Sequence, residues 1–207
     1  MHRASAQRRR ASLLTAAAEL AAEVGAGAVT HRAVAARAGV PLSTTSYFFG
    51  SIDELVTEAL RVGAQSRVSD FDAAERAAVL APDPTVDGVI GAAVDQTLAC
   101  SRAAEGSHVE YYLAAGRNEA LRTEAAATIE RSAARVKRQF DRIGSPRAGE
   151  VAWVVAAFGD GQMLHRLAGL DGDHRDRMAA GLRLLVASSM LTDPEIDDLL
   201  ARTTPQP

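Results

Sequence analysis

Arg32 and the run Leu42-Ser43-Thr44-Thr45 carry side chains that can read the edge of a base pair. A guanidinium forks onto guanine, a hydroxyl serves as donor or acceptor, and a leucine can lie against a thymine methyl. Nearby stand Thr30, His31, Ser46, Tyr47 and Ser51, polar groups suited to phosphate oxygens. Upstream, Arg8, Arg9 and Arg10 can reach a nucleic-acid backbone or a minor groove. These groups act together only if rigid elements present them on one surface.

The sequence between Thr30 and Leu55 supplies such elements. Thr30 is placed to cap a helix start, with Val29 and Val34 spaced as a hydrophobic staple. Val34, Ala35 and Ala38 give a small apolar stripe, and Gly39 falls where a helix stops, since glycine enters the left-handed region without steric cost. After Val40 and Pro41 comes a short polar helix anchored by Phe48 and Phe49. Ser51-Ile52-Asp53-Glu54 then has the form of a capping box opening a third helix. Helix, glycine turn, short polar helix and newly capped helix make a helix-turn-helix, whose second helix enters the major groove of double-stranded DNA.

This order of residues resembles the DNA-binding domain of the TetR (tetracycline-repressor) family of transcriptional regulators. The matching positions are Thr30, Arg32, Val34, Ala35, Ala38, Gly39, Val40, Thr44, Tyr47, Phe49, Ser51, Glu54 and Leu55. Two positions depart from the pattern: Ser46 stands where a tyrosine is usual and Ile52 where a lysine is usual, which leaves fewer groups for the DNA backbone. The resemblance implies a sequence-specific repressor released from its operator by a small-molecule effector. A homodimer would address successive major grooves, about 34–36 Å apart, on a near-palindromic operator. A helical ligand-binding or protein-interaction module with a degenerate head is the alternative that the two departures leave open.

Composition agrees with a helical regulator. Hydrophobic residues make up 47% of the chain but aromatics only 4%, so the core is mostly Ala, Leu and Val, and hardly any run alternates apolar and polar with β-branched residues over strand length. The expected fold is all-α, with about nine or ten helices. Residues 1–50 would form a three-helix DNA-binding domain with a basic arm, and 51–207 a helical effector-binding and dimerisation domain entered by a connecting helix at 51–81. Charge is split accordingly: the first fifty residues hold six Arg against Glu19 and Glu23, a balance of +4, while the whole chain carries −3. Cys100 is the only cysteine, so no intramolecular disulfide can form and a reducing, cytoplasmic setting is expected. Its simplest role is as a small buried apolar residue. Glu19 and Glu23 interrupt the apolar run after Arg10, which argues against a signal peptide, and no stretch reaches the ~18 apolar residues of a membrane span.

Along the chain, residues 1–7 read as a disordered arm and 8–24 as a helix with Leu13, Ala17, Leu20 and Val24 on one face. The connecting helix should stop at Ala81-Pro82-Asp83-Pro84. Helices are then expected at about 85–103, 105–115 and 118–142. Residues 147–170 form a helix with two apolar sides, one with Val151, Val154, Val155, Phe158 and Gln162, the other with Trp153, Ala157, Leu164 and Leu167. Gly159 and Gly161 would let a neighbouring helix approach. After the Asp171-Gly172-Asp173 turn comes a helix with Met178, Leu182, Leu185, Val186 and Ser189 together, and Pro194 opens a last short one. A helix with two apolar sides must be covered twice. The resemblance implies that these last two long helices pair with their copies, so the expected dimer interface is Val151, Val155, Phe158, Gln162, Met178, Leu182, Leu185 and Ser189.

Polar and aromatic residues scattered through the body are the candidates for the effector pocket that the resemblance implies: Cys100, His108, Tyr111, Tyr112, Asn118, Trp153, Phe158 and Gln162. Catalytic patterns are absent. His108-Val109-Glu110 lacks the cysteine pair of a nucleotide deaminase, His165 and His174 have no third metal ligand in register, and Asp160 is five residues from His165, the wrong spacing for a dyad. No Gly-rich phosphate loop, H-E-x-x-H or G-x-S-x-G occurs. Neither an enzyme, a metal nor a cofactor is expected.

Overall fold

The computed structural model describes residues 2–79, 85–170 and 172–203, and every regular element among them is helical. In chain order these are α1 (His2–Val24), α2 (His31–Ala38), α3 (Leu42–Phe48), α4 (Ile52–Val79), α5 (Val86–Leu98), α6 (Arg102–Ala115), α7 (Glu119–Arg142), α8 (Ala148–Leu167), α9 (His174–Ser189) and α10 (Asp193–Thr203). A turn of 3-10 helix, Ala26–Ala28, joins α1 to α2. The all-α expectation holds. The expected stop at residues 81–84 and Asp171 of the later turn lie outside the described residues.

Several boundaries differ from the sequence reading, each for a local reason. α1 already begins at His2, taking in residues read as a disordered arm, because Ala, Gln and Arg are good helix formers. The segment read as one helix from 85 to 103 is interrupted: α5 ends at Leu98, and the Ser101 hydroxyl accepts from the Ala104 N–H at 3.2 Å to start α6. α10 begins one residue before Pro194, with the Glu195 carboxylate accepting from both the N–H and the hydroxyl of Thr192, at 2.8 and 2.7 Å.

Packing divides the chain into two units. The first, Met1–Ala73 with Cys100–Thr128, closes around Leu13, Ala17, Leu20, Val34, Leu55, Leu60, Tyr111 and Leu121. Each leucine fully buried there contributes roughly 1.5–3 kcal/mol. Val24, expected on the same apolar face of α1, is exposed, because the helix ends there at Gly25, whose φ is 83°. Packing does not break at residue 50, since α1 lies along α6. A Cβ on Gly106 would sit 2.9 Å from the Ala22 Cβ, so only glycine permits this approach. The Glu110 carboxylate of α6 also accepts from the Ala26 N–H at 3.0 Å, holding the turn that leads into α2.

The second unit, Ala74–Ala99 with Ile129–Pro207, closes around Ile90, Val94, Val136, Phe140, Val151, Met178, Leu182 and Val186. Half of the expected dimer interface is thereby corrected, the four residues that this core buries. Val151, Met178, Leu182 and Ser189 are buried in the chain's own core, and Val155, Phe158 and Leu185 pack against it, while Gln162 is half-buried. Periodicity revealed two apolar sides on α8 but could not say which faces inward. The other side is the open one: Trp153 is 52% exposed and Leu164 is exposed too, as are Val154 from the margin of the first side and, on α9, Leu184 at 73%. The glycine that brings α8 and α9 together is Gly181, where a Cβ would come within 2.5 Å of the Phe158 ring; Gly159 and Gly161, the expected notch, have nothing within 4 Å.

Candidate nucleic-acid interface

Three caps fix the helix-turn-helix. The Thr30 hydroxyl accepts from the Ala33 N–H at 3.2 Å, leaving its own hydrogen available to an outside acceptor. Gly39 takes φ 65° at the end of α2, which turns the chain so that the Val40 N–H reaches the Ala35 carbonyl at 3.0 Å. At α4 the Ser51 hydroxyl accepts from the Glu54 N–H at 3.1 Å, and the Glu54 carboxylate accepts from the Gly50 N–H at 2.7 Å, so the box closes one residue earlier than its usual form.

Side chains then fix the angle between helices. Arg37 of α2 holds Glu23 at 2.7 Å and Glu19 at 3.3 Å on α1. The hydrogen bonds raise the Arg37 guanidinium above its ordinary pKa, and that from Arg37 lowers the Glu23 carboxyl. Phe49 is buried and Phe48 packs against the same core, as a two-turn helix requires.

What remains outside is the candidate interface. On α3, Leu42, Ser43 and Ser46 are exposed and Tyr47 is 80% exposed, its ring edge-on to Phe48 at 4.9 Å. Thr44 is half-buried at the margin of this surface, as is His31 on α2. Thr30, Arg32, Ser51, Arg8 and Arg9 are exposed, and Arg32 makes no ion pair among the described residues. One expectation is corrected, and one residue proves to have partners within the protein. Thr45 is fully buried with its hydroxyl donating to the Leu42 carbonyl at 2.7 Å, so it anchors α3 rather than reading a base. Arg10 is ion-paired with Glu58 of α4, its guanidinium 5.2 Å above the Phe49 ring, which ties it to the protein.

The first unit also encloses a half-open cavity of about 460 Å³ between α1, α4 and the start of α6. Of the residues expected around an effector, Cys100 and His108 line it. Tyr111 is buried in the core, the Tyr112 ring lies tilted against His108 with centroids 4.5 Å apart, and the Asn118 side chain accepts from the Leu121 N–H at 3.4 Å to cap α7. Trp153, Phe158 and Gln162 belong to the second unit. The sequence reading missed Arg67, Ser66 and Ser107 on the cavity wall. Only their exact placement on neighbouring helices distinguishes them from other charged or small polar residues.

Burial, and then the positive charge of Arg67, push the His108 imidazole down to about 4. It is therefore neutral in the folded protein at pH 7. Below its ordinary pKa of ~6.5 the unfolded chain takes up the proton first, so the stability present above that pH is lost as the pH falls towards 4. Urea melts across this window should fall by about 3 kcal/mol more for the wild type than for His108→Gln, which carries no titrating group. Parallel declines would mean that the histidine is protonated alike in both states.

Comparison with known proteins identifies the family. The family model for bacterial regulatory proteins of the tetR family matches residues 13–59. The model for the tetracyclin repressor-like C-terminal domain matches residues 81–188, more than half of the 207 residues. The chain belongs to the TetR family. Among solved structures, a TetR-family member from Streptomyces coelicolor A3 is 28% identical, with TM-score 0.65 over 86% of this chain and 97% of that one. Multidrug binding protein EbrR, complexed with imidazole, is 26% identical, with TM-score 0.60 over 86% and 94%. A transcriptional regulator from Rhodococcus sp. Rha1, 22% identical, shares the fold at TM-score 0.72 over 88% and 98%. No curated protein matches in sequence. TetR regulators bind operator DNA as dimers, respond to small molecules and are not enzymes. Among the described residues no helix is long and apolar enough to cross a membrane.

Proposed function

We propose that this TetR regulator is a cytoplasmic repressor whose α3, with Arg32 of α2, reads a near-palindromic operator and which a small molecule releases. The observation that carries the reading is the division along α3 and its C-cap: Thr45 and Phe49 are turned into the core while Leu42, Ser43, Ser46 and Tyr47 are left outside. Arg32, Ser43 and Thr44 read base edges, with Leu42 against a thymine methyl. Thr30, His31, Ser46, Tyr47, Ser51, Arg8 and Arg9 hold phosphates.

Residues 1–50 carry the groups that act on DNA, while 51–207 supply the connecting helix, the partner face and most of the body that meets the effector. The partner is a second copy, held by the outer faces of α8 and α9. Trp153, Val154 and Leu164 of α8 and Leu184 of α9 are large apolar groups left exposed on these two helices, and exposed apolar surface of this kind marks an interface. Gly161 leaves room among them for a second helix. The EbrR complex with imidazole, a relative of 26% identity, supports a small-molecule effector.

Selection of bound sequences from a random DNA pool tests the reading. One near-palindrome with half-sites about a helical turn apart is expected. Background recovery from folded, dimeric protein would overturn it in favour of an interaction module that no longer binds DNA.

A further inference from the structure

We infer that the cavity between α1, α4 and α6 is an effector site for a small amphipathic carboxylate, held by Arg67 against the DNA-binding head itself. The inference rests on the ligand-responsive regulator proposed above and names the chemistry and the place of its effector.

The charges around the cavity argue for an anion. Glu19 is already bonded to Arg37, and Asp70 is exposed at the rim. His108 is held neutral by burial, so Arg67 is the one cation on the described wall. Its partners are weak ones for a guanidinium: the Cys100 sulfur at 3.1 Å and the Phe71 ring at 5.1 Å. It makes no ion pair among the described residues. A carboxylate would give it the two-pronged, charge-assisted bond that neither a thiol nor a ring supplies. The first turn of α6 lies on the same wall at Ser101, Ala103 and Ala104, and its positive dipole end favours the same sign of charge.

The remaining wall argues for an apolar body. Leu14 and Ala18 of α1 face Ala59 and Val62 of α4 across a space of about 460 Å³, enough for a chain or a single ring. Because α1 forms one side, an occupant bears directly on the helix that braces α2 through Arg37. Filling the cavity therefore shifts α1 relative to α4 and changes the seating of α3 on DNA.

Isothermal calorimetry on the full-length protein tests this with hexanoate, octanoate, decanoate, benzoate and phenylacetate, and with octylamine and octanol as matched controls. At least one carboxylate should bind, at least tenfold tighter than the amine or alcohol. Arg67→Gln should lose at least tenfold of that affinity. Ala103→Phe, an exposed position on the wall, should block the site without touching the guanidinium. Equal affinity in Arg67→Gln, preference for octylamine, or no binding by any of the five carboxylates would overturn the inference. Operator binding is measured separately. A recovered operator without carboxylate binding sinks this site and leaves the regulator standing, while Arg67-dependent binding without an operator does the reverse.

Discussion

Replacing Arg32 by alanine lowers affinity for the selected operator by about 1–3 kcal/mol per half-site and leaves binding to random DNA nearly unchanged. The asymmetry follows from geometry. Arg32 is exposed one residue into α2 and makes no ion pair among the described residues, whereas Arg37, one and a half turns on, is committed to Glu23 and Glu19. A base-reading contact is lost only on the right sequence, while a phosphate contact is lost on every sequence and takes part of the salt dependence with it. Tyr47→Phe should accordingly weaken operator and random DNA alike. Thr44→Ala should follow the Arg32 pattern. Thr45→Val should act through folding, because its hydroxyl is spent on the Leu42 carbonyl inside the protein. Filter binding of the four variants to both DNAs at two salt concentrations separates these outcomes. Uniform loss for Arg32→Ala would make it a phosphate contact, and no loss would place it outside the interface.

The helix-turn-helix was legible because its signals are local. A Thr at a cap, a Gly in the left-handed region and a Ser with Glu three residues on each state their own geometry, and the structure realises all three. Inside α3 the reading was coarser: Ser43, Thr44 and Thr45 were all assigned to base edges, yet helical rotation buries Thr45 and exposes Ser43. The partners of Arg10, Glu58 and Phe49, went unseen because they are distant in sequence. The same limit governs the body. Gly106 against Ala22 and Gly181 against Phe158 set which helices touch, and neither pair is linked by any sequence period. The cavity is the product of such contacts, so of its wall only Cys100 and His108 were anticipated.

Leu184→Glu turns the dimer into a monomer at micromolar concentration and weakens operator binding by about two orders of magnitude or more, with folding stability unchanged. Leu184 is 73% exposed, so within one chain a carboxylate there meets water and costs little. Across a two-fold axis the same residue lies on the same patch of both copies, so each substitution puts charge into the apolar interface from both sides. Loss of pairing removes the tethering that makes the second half-site nearly an intramolecular ligand. Leu182→Ala is the informative contrast. It stands two residues away and was expected at the interface, but it is buried in the subunit's own core. It should cost about 2–5 kcal/mol of stability through the cavity it leaves, without a corresponding change in association of the folded protein. Sedimentation equilibrium and urea melts on the two variants form the test. Dissociation by Leu182→Ala at full stability, with Leu184→Glu still dimeric, would reverse the faces and return the interface to the inner side of α9.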